Sequence, residues 1–248
     1  VWEMYEKGLT TTLNQADSDW ATSLVKKYKP KNVEDMAKFV ACIRPSFNSW
    51  RDKFIQREEH TNGVKIMDDL LSSTDNFILF QENLMQYFVW LGVSPSESIG
   101  LIKKISKKKI KQEDFDHLEK SLLENWIKKT GSEDKFFEIW KLVQSCIEYG
   151  FCSAHGLCVA YDSVYGAYLK SHYPYEYYTV ALNEYKDDQD RTGKMIEELR
   201  YFDIELKGIK YGKSKGDYSA DKDTKSIYKG IGSIKFLNNV VADELYLL

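Results

Sequence analysis

Apolar positions recur along most of this chain at steps of three and four, the spacing that gathers them on one face of an α-helix. Between 77 and 91, Phe77, Phe80, Leu84, Phe88 and Leu91 draw such a stripe. The segment 135–149 repeats it with Phe136, Trp140, Val143 and Ile147. A third helix over 156–171 is drawn through Leu157, Tyr161, Val164 and Tyr168, with Pro174 just past its end. A fourth runs through Met195, Ile196, Leu199 and Phe202, and shorter helices are expected over 17–28, 33–43 and 114–128. After about residue 203 the pattern changes. Gly208, Gly212, Gly216, Gly230 and Gly232 interrupt the chain, with short strand-like pieces at Ile204–Leu206 and Ser226–Tyr228. The pattern predicts a mainly α protein with a short irregular and β segment near its C-terminus, and a boundary within 205–225.

Composition narrows the picture without deciding it. A chain of 248 residues, 43% of them hydrophobic, builds a genuine core and suits one large domain or one domain plus a fragment. The net charge of −3 gives no global basic footprint, so any nucleic-acid contact must come from local clusters of Lys and Arg. Cys42, Cys146, Cys152 and Cys158 lack metal-site spacing and sit in apolar contexts, which predicts buried reduced thiols. No apolar run approaches the ~18 residues that span a bilayer, and no signal peptide opens the chain; a soluble, cytoplasmic protein is expected. The sequence opens Val1-Trp2-Glu3 without an initiator Met, as a piece of a longer polypeptide would.

Four features carry candidate chemistry, each with a plainer reading beside it. Lys103, Lys104, Lys107, Lys108, Lys109 and Lys111 lie together with no acid between 101 and 112. Phosphates would neutralise such a run by counterion release, while a solvated helix end would tolerate it equally well. The stretch from Glu148 and Tyr149 to His155 and Gly156 closes one helix and opens another, whose unpaired N–H groups suit a phosphate. Lys170 and His172 follow on later turns; a lone His is more often structural. Gly230-Ile231-Gly232, followed by Lys235, resembles half of a helix–hairpin–helix that would hold a DNA phosphate on backbone amides, although an ordinary turn has the same residues. Arg44 offers a planar fork for phosphate, and Pro45 keeps it out of helical conformation. No nucleophile elbow, Walker loop, HExxH or zinc spacing is present, so no catalytic residue and no metal ligand is assigned. The paired acids Glu34-Asp35, Asp68-Asp69 and Asp187-Asp188 sit in polar, exposed-looking contexts.

Taken in order, these features resemble the fingers region of the bacterial DNA polymerase III α-subunit, the C family of replicative polymerases. Gly8 to Gln15 stands where the family has a Gly-Thr-rich opening, and Lys29-Pro30, Glu34-Asp35 and Arg44-Pro45 follow as the family's do. Phe80-Gln81-Glu82, the lysine run, Tyr149-Gly150-Phe151 through His155, Ala167-Tyr168-Leu169-Lys170 and Gly230 to Lys235 complete the series. The resemblance implies a multi-helix fingers domain over 1–210, then a linker and the start of a duplex-binding helix–hairpin–helix over 211–248. It implies phosphate or nucleotide contacts from Arg44, Lys103, Lys107, Lys108, Tyr149, His155 and Lys170, and DNA contacts from Gly230, Gly232 and Lys235. Magnesium would be held by a palm that this sequence lacks. The implied partners are template-primer DNA, a deoxynucleoside triphosphate, the palm, and a sliding clamp with other replisome proteins. Departures mark a divergent member, of the kind a phage carries: Cys152-Ser153 replaces the family's Asn-Lys, and Phe236-Leu237 follows the Gly-x-Gly turn where the family has Gly-Val-Gly. A stand-alone DNA-binding module and a helical scaffold for a protein partner are the rival readings.

Overall fold

Short oxygen-bearing side chains open several of the helices. Ser18 accepts from the Ala21 N–H at 3.1 Å, Asn32 from that of Asp35 at 2.7 Å, and Ser94 from that of Glu97 at 3.3 Å. Each satisfies a donor that the first turn of a helix leaves without a partner. The computed structural model describes residues 1–147, 151–234, 237 and 239–247, without the side chains of Ser46, Asn239, Asp243 and Leu245.

In chain order the helices are α1 (Trp2–Lys7), α2 (Asp19–Tyr28), α3 (Val33–Cys42), α4 (Asn48–Ile55), α5 (Lys65–Leu70), α6 (Gln81–Trp90), α7 (Pro95–Ser106), α8 (Gln112–Thr130), α9 (Phe136–Ile147) and α10 (Ser153–His172). Then come α11 (Pro174–Glu184) and α12 (Gln189–Leu199), the strands β1 (Glu205–Lys207), β2 (Ser219–Asp221) and β3 (Ser226–Tyr228), and α13 (Asn239–Leu247). The protein is mainly α, as expected. It divides into two compact units: Val1–Lys29 with Tyr161–Leu248, and Pro30–Ala160. The division falls inside α10.

The unit Pro30–Ala160 is organised around Leu84, Tyr87, Phe88, Trp126, Phe136 and Trp140, all buried. Burying an aromatic of this size contributes roughly 2–3 kcal/mol. The stripe on α9 is buried as its spacing predicts. The helix expected over 77–91 begins only at Gln81, because Asn83 Oδ1 accepts from the Leu79 and Phe80 N–H groups and turns that backbone out of helical geometry.

In the other unit, Tyr178, Leu182, Met195, Leu199 and Ile227 form the core. β3 is the central strand, parallel to β1 with Leu206 opposite Ile227, and antiparallel to β2 with Ala220 opposite Ile227. A domain boundary at 210 would cut this sheet between β1 and β2, so residues on both sides of it belong to one unit.

The stripe assigned to α10 is the largest correction. Leu157, Tyr161 and Tyr168 are exposed, while Gly156, Ala160, Ser163, Ala167 and Lys170 form the buried face. Small side chains let the helix lie close to its neighbours: a Cβ on Gly166 would sit 2.9 Å from Leu13. The cysteines are free, but they are not all buried. Cys42 is, and Cys158 is exposed on the outer face of α10.

Candidate nucleotide and nucleic-acid interface

Arg44 has extended backbone angles (φ −74°, ψ 148°), as the following Pro45 requires. Arg51 on α4 fixes the turn, donating to the carbonyls of Cys42 at 3.0 Å and Arg44 at 2.9 Å. The Arg44 guanidinium then lies 4.5 Å over the Phe151 ring. Its Nε is buried and has no hydrogen-bond partner among the described residues. His155 is exposed, with its ring 5.4 Å from the same Phe151 ring. Two of the expected contacts, 111 residues apart in sequence, therefore converge on one aromatic side chain. Phe151 is in turn anchored by the Gln81 N–H, which donates to its carbonyl at 2.9 Å. Tyr149 lies outside the described residues.

The start of α10 is not an open cradle for phosphate. Glu82 on α6 accepts from the Ser153 N–H at 3.0 Å and from the Cys152 thiol at 3.5 Å. A carboxylate from the protein itself already complements the positive end of this helix dipole. A phosphate arriving at those amides would meet that negative charge.

The lysine run proves to be the end of a helix. Lys103 and Lys104 sit in the last turn of α7, where their charge suits the negative end of the dipole. Lys108 turns the chain with φ 52°, and the Lys109 N–H donates back to the Lys104 carbonyl at 2.9 Å. Lys103, Lys107 and Lys108 are all exposed. Lys108 lines a pocket of about 470 Å³ to which neither Arg44 nor His155 contributes. The expected phosphate contacts thus fall at two places in this unit.

Lys170 is a correction. Its side chain is fully buried (0% exposed), and its ammonium donates to the carbonyls of Leu9 at 3.0 Å and Thr11 at 2.7 Å, and to Glu198 at 2.7 Å. All three protons are used, leaving none for a phosphate. Glu198 also accepts from the Tyr178 hydroxyl at 2.7 Å and the Thr11 N–H at 2.9 Å. Burial pulls the Lys170 pKa down and the Glu198 carboxylate pulls against it; burial also raises that of Tyr178. Lys170 therefore acts within the fold, tying the Gly8–Gln15 segment to α10. Sequence reading missed Glu198, although its place beside Met195 and Leu199 on an apolar face was a signal that it is buried.

The Gly-x-Gly turn is also spent internally. The Ile231 N–H donates to the Lys215 carbonyl at 2.8 Å and the Gly232 N–H to that of Gly216 at 2.9 Å. A Cβ on Gly230 would lie 2.4 Å from the Gly216 carbonyl oxygen, so this glycine permits a close backbone approach. Gly230 and Gly232 serve packing here, and these two amides do not face a phosphate. Lys235 lies outside the described residues.

The paired acids are engaged as well. Asp35 receives Arg57 at 3.0 Å, Asp68 receives Thr61 and Asn62, and Asp188 caps α12 through the Arg191 N–H at 3.0 Å. Among the described residues no three carboxylate, imidazole or thiol groups gather to hold a metal. No helix of the described residues is long and apolar enough to cross a membrane.

Comparison with known proteins agrees with this arrangement of segments. Residues 1–130 match the model of the bacterial DNA polymerase III alpha subunit finger domain. DNA polymerase III subunit alpha of Aquifex aeolicus (strain VF5) is 27% identical over 213 residues, covering 83% of this chain and 18% of its own length. That of Staphylococcus aureus (strain Mu50) is 27% identical over 257 aligned positions, covering 99% of this chain and 24% of its own. The chain thus spans about a fifth to a quarter of the length of these relatives. Residues 1–130 include α1 to α8, with the Arg44 turn and the lysine run. By that match, the chain belongs to the bacterial DNA polymerase III alpha-subunit finger-domain family.

Proposed function

We propose that this chain forms the nucleotide- and template-facing fingers part of a DNA polymerase III α-like enzyme. The observation that carries the reading is the meeting of Arg44 and His155 on Phe151, two cation-forming side chains drawn from separate family segments onto one ring. A guanidinium with an unspent Nε donor suits an anionic oxygen, and an aromatic ring beside it suits a base. The exposed lysines 103, 107 and 108 add a second, diffuse source of positive potential for a DNA backbone.

In this reading the fingers supply charge and shape, not bond-making groups. Nucleotidyl transfer needs carboxylates that hold two magnesium ions, and a palm contributed by another stretch of polypeptide would provide them. The fingers would grip the triphosphate and close on the nascent pair. The template-primer, the incoming deoxynucleotide and the palm are the implied partners. The test is a polymerase carrying this segment, assayed with Arg44→Ala and with Lys107→Ala/Lys108→Ala. Arg44→Ala is expected to raise nucleotide KM at least fivefold, and the double lysine variant to weaken DNA binding. Unchanged nucleotide KM and DNA affinity in both would overturn the assignment.

A further inference from the structure

We propose that Glu82 is a positioning residue for the nucleotide site: by hydrogen bonding to the chain at Ser153 it keeps the Phe151 ring against the Arg44 guanidinium and the His155 ring. This rests on the nucleotide-binding reading above and gives the start of α6 a part in that site.

The first turn of a helix leaves N–H donors without partners inside the helix. Here α6 and α10 supply one another. The Gln81 N–H, first in α6, donates to the Phe151 carbonyl at 2.9 Å, and the Ser153 N–H, first in α10, donates to Glu82 Oε2 at 3.0 Å. Glu82 Oε1 also accepts from the Cys152 thiol at 3.5 Å. Phe151 is thus held through its own carbonyl and through the two residues that follow it. Glu82 and Ser153 stand 71 residues apart, so the pairing comes from packing and not from local sequence. All of these residues belong to the unit Pro30–Ala160.

The ring is seated as closely as its backbone. A Cβ on Gly156 would lie 3.0 Å from Phe151 Cε1 and 3.5 Å from Phe80 Cε1, so the Phe151 ring rests on bare α10 beside Phe80. Asn83 sets Phe80 in turn, its Oδ1 accepting from the Leu79 and Phe80 N–H groups at 3.2 and 3.0 Å. Arg44 covers the Phe151 ring at 4.5 Å, and His155 meets it at 5.4 Å with 71° between the planes. His155 lies in the first turn of α10, so freeing Ser153 from Glu82 would shift the histidine and the ring together. A displacement of about 1 Å is enough to weaken contacts that depend on aimed donors.

The experiment is steady-state nucleotide incorporation by a polymerase carrying this segment, with Glu82→Gln, Glu82→Asp and Glu82→Ala, each alone and combined with Arg44→Ala. Glutamine keeps an acceptor for the Ser153 N–H and discards the charge; aspartate keeps the charge and is one methylene too short. Nucleotide KM is expected to rise about fivefold in Glu82→Asp and Glu82→Ala, with kcat within about twofold of the parent, and to stay near the parent value in Glu82→Gln. Added to Arg44→Ala, Glu82→Asp should raise KM little further, because both act on the same ring. Thermal midpoints check each fold, and Glu82→Asp decides if Glu82→Ala does not fold. If Arg44→Ala raises KM while Glu82→Asp leaves it unchanged, or if Glu82→Gln is as impaired as Glu82→Asp, the positioning role is overturned and the proposed function stands. If no Arg44 or Glu82 variant changes nucleotide KM, both are overturned.

Discussion

A buried lysine behaves according to its partners, and Lys170 has three. Its pairing with Glu198 is inside the fold, where losing one partner strands the other's charge. Lys170→Ala is expected to lower the free energy of unfolding by about 3–5 kcal/mol, and the apolar pair Lys170→Met/Glu198→Leu by clearly less. Urea denaturation measures both; an unchanged midpoint in Lys170→Ala would contradict the clamp. His60 supplies a pH dependence. Its ring stacks on Phe77 at 4.1 Å and its Nδ1 is buried without a partner among the described residues. Burial, and then the charge of Lys53, hold its pKa below the ordinary 6.5. The unfolded chain therefore binds the proton more readily. The contribution of His60 is intact above pH 6.5 and is lost as pH falls through the lower folded value. Stability measured from pH 7 down to 5.5 should fall less steeply in His60→Phe than in the parent chain.

Among the elements, α10 shows why an apolar stripe is not always a buried one. Its large side chains were visible in the sequence, but their spacing fits either face of the helix. What places the face is close packing: the row from Gly156 to Ala167 is small enough to approach other backbone, and the tyrosines are not. Tyr165 is 63% exposed and Ala167 fully buried. Tyr165→Ser should therefore change stability by less than about 0.5 kcal/mol, whereas Ala167→Leu should cost about 1–3 kcal/mol through overpacking. Thermal or urea unfolding of the two variants decides the orientation. The stripe on α9 was legible because its large residues, Phe136, Trp140, Val143 and Ile147, have no row of small residues competing for the core.

At the scale of the whole molecule, a net charge of −3 means that the proposed affinity for DNA would rest on local clusters and so on salt. Binding by the parent chain should weaken steeply as salt rises. Removing Lys107 and Lys108 together should lower the slope of log affinity against log salt by roughly 1.4 to 1.8, if both meet phosphates. An unchanged slope would take them off the DNA. The sequence alone determined the helical class, the core stripes of α9 and α12, the extended Arg44 and the family, because these follow from local spacing, from proline geometry and from ordered motifs. Only the tertiary structure decided which charges are spent. It turned Lys170 inward onto Glu198, covered the start of α10 with Glu82, closed the Gly-x-Gly amides on Lys215 and Gly216, and set Arg44 against His155 on Phe151. The reason is physical: a residue's type fixes what it can donate or accept, but its partner is chosen by whichever distant segment the packed core brings within hydrogen-bonding distance.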